Sequence, residues 1–383
     1  MAYRHGVYNI EQPTSMPTPQ EGRAAIQVII GTAPIHLAKD PAAAVNKPIL
    51  CSSYKEAVEA FGYSDDFDNF TLCQSIQASF GIFNVAPIIL INVLDPANTA
   101  HVTENSAESC AVSDKTAVYK KQYVLLDALS VKNGQTDLVR GTDYSAEHDD
   151  DGNVVITLIS ETASAASSLS VSSKSLKPSG VTASDIVGAV NTSTGKETGL
   201  ETIRQVFPRL GKIPGTLLAP GWSHNAVVAA ALQAKTEAIN GVFNCVCLID
   251  IPSGSSGATV CTGVKTAKES LGVTSPHAAA LWPMAQVGKK KYYMSAIFGA
   301  MMAYNDVLNG DVPCNPSNKA LPIDATVLAD GTEVLLDQQQ ADDYINAVGV
   351  ITAINAGGFR SWGNNTAAYP DTADPKDRWF AVR

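Results

Sequence analysis

Four almost purely apolar runs, Ile26–Gly31, Ile88–Val93, Val242–Ile249 and Ala278–Trp282, are separated by segments of helical periodicity. A strand without a polar face must be covered on both sides, and strands that alternate with helices need crossover connections. Together these features predict an α/β fold with a mostly parallel sheet core and flanking helices. Pro48–Cys51 and Thr216–Ala219 read as further short strands. Ser53 is placed to cap a helix through Phe61, with Glu56 at capping-box spacing. Leu72, Cys73, Ile76 and Phe80 give an apolar face to a second helix over Asp68–Phe80.

Beyond Thr198 the rhythm is regular. Leu200–Phe207 reads as a helix stopped by Pro208, and Ser223 as the cap of an Ala-rich helix reaching Ala238. Gly263–Leu271, Ala296–Leu308 and Tyr344–Ile354 complete the helices, the last with Ile345, Val348 and Ile351 inward. Gly357-Gly358 ends it, and Phe359–Gly363 follows as a strand. From about Ser106 to Pro178 the pattern changes to period two, with strands expected at Tyr123–Leu126, Leu138–Tyr144 and Val154–Ile159. The stretch Ser160–Ser175 reads as loop or exposed edge strand. Asp149–Asn153 is expected to be a hairpin turn with Gly152 at positive φ, since it lacks the spacing and distal Glu of a calcium loop. A small all-β insertion domain therefore interrupts a single α/β core. The expected division is an extended N-terminal arm over 1–20, core over 21–105, insertion over 106–180 and core over 181–383.

The leader is unlike the rest. Pro13, Pro17 and Pro19 exclude a helix, while Tyr3, Val7, Tyr8 and Ile10 mark a strand-forming stretch with no sequence neighbour to pair with. Its unpaired backbone groups are satisfied by adding to the sheet edge of another subunit. These four residues are the candidate subunit-interface site, and they favour an assembly protein over an enzyme.

A formal net charge of −10 argues against nucleic-acid binding, which needs a basic face. The only basic run, Lys289-Lys290-Lys291 beside Tyr292-Tyr293, reads as a solvated sheet edge. Seven cysteines without C-x-x-C spacing predict thiols in a reducing compartment. No apolar run approaches the ~18 residues of a membrane span, and no signal-peptide pattern opens the chain. Synthesis in the cytosol as a soluble protein follows from this reading.

Enzyme signatures are weak. Gly195-Lys196, Gly211-Lys212 and Gly288-Lys289 are not followed by Ser or Thr, and no dinucleotide fingerprint follows a strand. Gly221–Asn225 looks like a nucleophile elbow until Asn225, where the tight turn needs a small residue. An α/β hydrolase using Ser223, His224 and Asp250 is the alternative reading, with Asp250 at the end of a strand. His224 and His277 have no metal-ligand spacing, and no cofactor is expected.

Several segments resemble the tail sheath proteins of contractile phages and related injection machines. They are Tyr3–Tyr8, Val28–Pro34, Asn46–Leu50, Leu218–Ser223, Pro313–Lys319 and Gly357–Asn364. No one of them is diagnostic, but their order and spacing together are specific, and they cover most of the chain outside the β insertion. Asn365 stands where many of that family carry Arg, so no role of that arginine is carried over. The resemblance implies a non-enzymatic subunit stacking as hexameric rings around an inner tube. It implies tube, baseplate and tail terminator proteins as partners, a place in the virion tail and assembly in the bacterial host cytoplasm. Contraction would be a rearrangement of subunit interfaces, with no nucleic acid bound and no membrane insertion. Members of that family extend past the Trp379–Arg383 segment, where a tube-contacting helix and a C-terminal arm are expected.

Overall fold

The computed structural model describes residues 20–21 and 26–380, residue 373 excepted. Tyr3, Val7, Tyr8 and Ile10, and with them the expected arm, lie outside the described residues, as do residues 381–383.

The centre is one eight-stranded sheet. Its strands are β1 (Gln27–Gly31), β2 (Ile49–Cys51), β3 (Ile88–Asn92), β4 (Thr216–Leu218), β5 (Val246–Asp250), β6 (Ala278–Leu281), β7 (Val350–Asn355) and β8 (Phe359–Trp362). They lie in the order β8-β7-β6-β5-β4-β1-β3-β2. Every pairing from β7 to β3 is parallel, and the edge strands β8 and β2 are antiparallel. All residues of β1, β3 and β5 are buried, which is why these segments carry no polar alternation. The helices Leu72–Ile76 and Met294–Leu308 pack against each other and onto the sheet. A Cβ at Gly299 would come within 2.7 Å of both Gln27 Oε1 and Leu218 Cδ2, so glycine sets this close helix-to-sheet approach. Gln20–Glu21 runs parallel to Val85–Ala86, the described point at which the N-terminal segment joins this body.

Between β3 and β4 the chain builds two small sheets. One orders Tyr144–His148, Val154–Leu158 and Thr116–Tyr119; the other orders Val102–Ala111, Ser168–Leu176, Ser130–Asn133 and Thr136–Leu138. Tyr119, Tyr144, Ile156 and Val171 anchor a hydrophobic cluster separate from that of the main sheet.

Several local expectations need correction. Tyr344–Ile354 is not a helix: short helical turns end at Val348, Gly349 takes φ +68°, and β7 follows. A fully buried strand has no alternation, so the apolar spacing of Ile345, Val348 and Ile351 mimicked a helical face. Gly357-Gly358 is instead the turn between antiparallel β7 and β8. Pro208 does not stop a helix but lies in the first turn of Val206–Leu210, where its missing N–H costs little; Gly211 in the left-handed region ends it. The second helix starts at Leu72, not Asp68, because Asp66 accepts from Asn69 N–H and turns the chain there. Tyr123–Leu126 is irregular, with Tyr123 at φ +58°, and the strand expected over Leu138–Tyr144 is a turn between two strands. Ser168–Leu176, which takes up the second half of the Ser160–Ser175 stretch read as loop or edge and runs one residue past it, is an interior strand of its sheet. Its serines obscured the pattern; two of them, Ser173 and Ser175, are spent on the Asn105 amide, and Ser173 also meets the Tyr119 hydroxyl.

Other readings match. Asp149–Asn153 is a hairpin turn with Gly152 at φ +79°, and the Asp149 carboxylate accepts from Asn153 rather than facing outward as a ligand. Lys290–Tyr292 is an edge strand of a three-stranded sheet. Among the described residues no helix is long and apolar enough to cross a membrane.

Candidate functional site

The carboxyl ends of parallel strands are where an α/β fold places a site, and Asp250 ends central strand β5 there. Its carboxylate is buried. Ser223 Oγ donates to Oδ2 at 2.8 Å, Ser295 Oγ donates to Oδ2 at 2.6 Å, and Ser295 N–H donates to Oδ1 at 2.8 Å. Ser223 Oγ in turn accepts the Asp250 N–H at 3.0 Å. Burial pushes the Asp250 carboxyl up to about 6, against the opposing hydrogen bonds from Ser295 and Ser223. The cluster ties three segments together: the turn after β4, the end of β5, and the first turn of Met294–Leu308.

This geometry corrects the assignment of Ser223 as a helix cap. The helix is Ala226–Ala234, and Asn225 caps it by accepting from Val227 N–H at 3.0 Å. Asn225, the residue that disqualified the elbow, is therefore the one that starts the helix. His224 is not brought to Ser223; its ring stacks on Tyr293 at 5.4 Å and 5°, and burial lowers its pKa. Ser223 is fully buried, its hydroxyl is spent on the equally buried Asp250, and His224 faces Tyr293 instead, so the hydroxyl is closed off from solvent and its partner acts as a structural acceptor. Nothing in the arrangement favours hydrolysis. Replacing Ser223 with Ala is expected to cost about 2 kcal/mol by leaving the Asp250 amide and carboxylate short of partners. Urea denaturation reads this; an esterase activity lost at unchanged stability would reverse the assignment.

Among the described residues no group of three or more His, Cys, Asp or Glu side chains is arranged to hold a metal ion. Two positions that matter were not read from sequence. Ser295 showed no local sign of its partner 45 residues away. Lys268 did leave one: it lies four residues after Val264, on the apolar face of Val264–Leu271. It is buried, and its ammonium donates to the carbonyls of Val348 at 2.7 Å, Ala367 at 2.6 Å and Tyr369 at 3.1 Å.

The outer sheet edges also bear on assembly. The β8 edge is closed by the chain itself, since Ser361 N–H donates to Lys319 O at 2.9 Å and Leu321 N–H donates to Phe359 O at 2.9 Å.

No family model matches the chain. It is 27% identical to the tail sheath protein of Burkholderia phage BcepMu, over 96% of this chain and 75% of that protein. A Pseudomonas aeruginosa prophage protein that bears the name of a major tail sheath protein is 27% identical over 48% of this chain and 46% of its own length. In fold, the chain is similar along its whole length to a chain of the anti-feeding prophage baseplate solved by cryo-electron microscopy. There the TM-score is 0.52 with 14% identity, over 72% of that chain. Over nearly all of its length the chain is thus similar to a phage tail sheath protein, in line with the resemblance read from its segments.

Proposed function

We propose that this chain is a structural subunit of a contractile tail sheath. The observation that carries the reading is the similarity, over 96% of this chain, to a phage tail sheath protein. The buried, self-contained Asp250 cluster supports it, because the most enzyme-like residues of the chain are used to hold the fold. In this reading subunits stack as hexameric rings around a tube within the virion tail, and contact baseplate and tail terminator proteins. They assemble in the bacterial host cytoplasm and contract when subunit interfaces rearrange as rigid bodies. The leader, through Tyr3, Val7, Tyr8 and Ile10, pairs with a neighbouring subunit, and the β-rich segment between β3 and β4 is a peripheral domain facing outward. An added strand contributes about 1 kcal/mol per net hydrogen bond, a modest link that gains strength by repetition through a lattice.

Negative-stain imaging of the full-length protein at high concentration tests this. Rings or tubes are expected, and a chain lacking residues 1–19 should remain folded by circular dichroism while losing most of its polymer. Dispersed monomers of the full-length protein would refute the sheath reading. Polymer at normal yield after the deletion would refute only the role of the leader.

A further inference from the structure

His36 and His148 meet where the main body touches the β-rich segment. His36 belongs to the turn Ile35–Leu37 just past β1, and His148 ends the strand Tyr144–His148. Their rings stand edge to face with centroids 5.4 Å apart at 87°. His36 also lies 5.6 Å from the ring of Tyr123 and 5.8 Å from that of Phe70, and Phe70 and Tyr123 pack edge to face at 5.2 Å. The four rings and a hydrogen bond from Tyr123 OH to Asp66 Oδ2 at 2.8 Å link the main body to the β-rich segment, whose Leu125 and Leu176 also pack into the main hydrophobic cluster. The Nδ1 of His36 is buried without a protein hydrogen-bond partner, and the ring nitrogens of His148 have no well-formed one, only the nearby Val124 backbone.

We propose that this contact is a proton-sensitive joint, closed while His36 and His148 are neutral and loosened when they take up protons. A neutral imidazole tolerates an apolar ring cluster, whereas an imidazolium needs two acceptors and loses hydration there. The surrounding charges do not supply those acceptors. A cleft of about 500 Å³ beside the rings is lined from the main body by Tyr63, Asp65 and Asp66, and from the β-rich side by Gln122, Tyr123 and Asp149–Asp151. Asp65 is paired with Lys290, Asp66 is occupied by Asn69 and Tyr123, and Asp149 is occupied by Asn153. Asp150 and Asp151 are exposed on the hairpin tip. Arg140 adds positive charge facing His148.

The titration agrees with the geometry. Burial, and secondarily His148, pushes His36 down to about 3. Burial also lowers His148, outweighing the opposite pull of the Val124 backbone and Asp149. The closed joint therefore binds fewer protons than the open one. Its stability is complete above the ordinary imidazole pKa and declines as pH falls through it. From pH 7.5 to 5.5, freeing the His36 imidazole by opening raises the open population about tenfold, and His148 adds to this in the same direction.

Hydrogen exchange of the full chain at pH 7.5 and 5.5, corrected for the intrinsic rate, reads this directly. Peptides over 33–37, 122–126 and 144–152 should lose about tenfold or more protection, while β5 does not. The loss should disappear in a His36→Phe, His148→Leu double variant and shrink in His148→Gln alone. Unchanged protection of the parent chain across this range overturns the proposal, as does an equal loss in His148→Gln.

Discussion

Replacing Lys268 with methionine is expected to lower stability by about 3 kcal/mol and to free the last described segment before the rest of the fold opens. The side chain is nearly isosteric, so packing along Val264–Leu271 is kept and only the ammonium is lost. Three carbonyls, that of Ala367 buried and the others partly so, then go without this donor. They belong to the turn entering β7 and to the segment at Ala367–Tyr369, which approaches β6 where Ala367 N–H donates to Ala278 O at 2.8 Å. Burial pushes the Lys268 ammonium down to about 8, with Asp371 and Glu269 opposing, so it remains charged at neutral pH. Gly349 belongs to the same construction. It holds φ +68°, and a Cβ there would lie 2.4 Å from Tyr369 O and 3.1 Å from the ammonium. The measurement is urea denaturation together with hydrogen exchange. Protection should fall first over 348–350 and 366–369, with the β1, β4 and β5 peptides affected only at global unfolding. Uniform loss across the sheet would show that Lys268 is not a local clasp.

Asp250→Asn is expected to gain stability relative to the parent chain as pH rises from 4 to 7, by about 2 kcal/mol in total. The sign follows from the raised pKa. The folded carboxyl, held up to about 6 by burial, keeps its proton in a range where the unfolded one has released it. Between roughly pH 4 and 6 the folded chain thus binds more protons, and the parent loses stability as pH rises. An amide cannot ionise and escapes this loss, and the hydroxyls of Ser223 and Ser295 can rotate to accept from it. Asp143, Asp149 and Asp185 have pKa values lowered by hydrogen bonding and contribute the opposite slope. Taking the difference between variant and parent cancels them. Urea midpoints at pH 4, 5, 6 and 7 decide the matter, and a flat difference would mean that the three hydrogen bonds hold the carboxylate charged throughout.

What could be read directly was whatever a contiguous run of side chains encodes. β1, β3, β5 and β6 were legible because burial on both faces leaves no place for polar residues, and α/β alternation leaves few arrangements but a parallel sheet. Ser53 as a cap, Gly152 in its hairpin and Lys290 on an edge were legible because each answers a local backbone need. The helix expected over Tyr344–Ile354 failed for the same reason that β1 succeeded: a run buried on both faces has no period with which to distinguish helix from strand. Cysteine usage, net charge and the absent nucleotide motifs were equally direct, being properties of composition and short spacing.

The tertiary structure decided the remainder, because it concerned pairs distant in the chain. Ser223 met Asp250 and Ser295 rather than His224, which turned a suspected nucleophile into a structural bond. Lys268 found three carbonyls 80 to 101 residues away, and His36 found His148 where the main body meets the β-rich segment. By itself the sequence determined the layered α/β architecture, since hydrophobic periodicity is a local record of which faces avoid water. Which polar groups were buried together only the folded chain could decide, since a hydrogen bond or an unpaired imidazole depends on distances in space that no local spacing records.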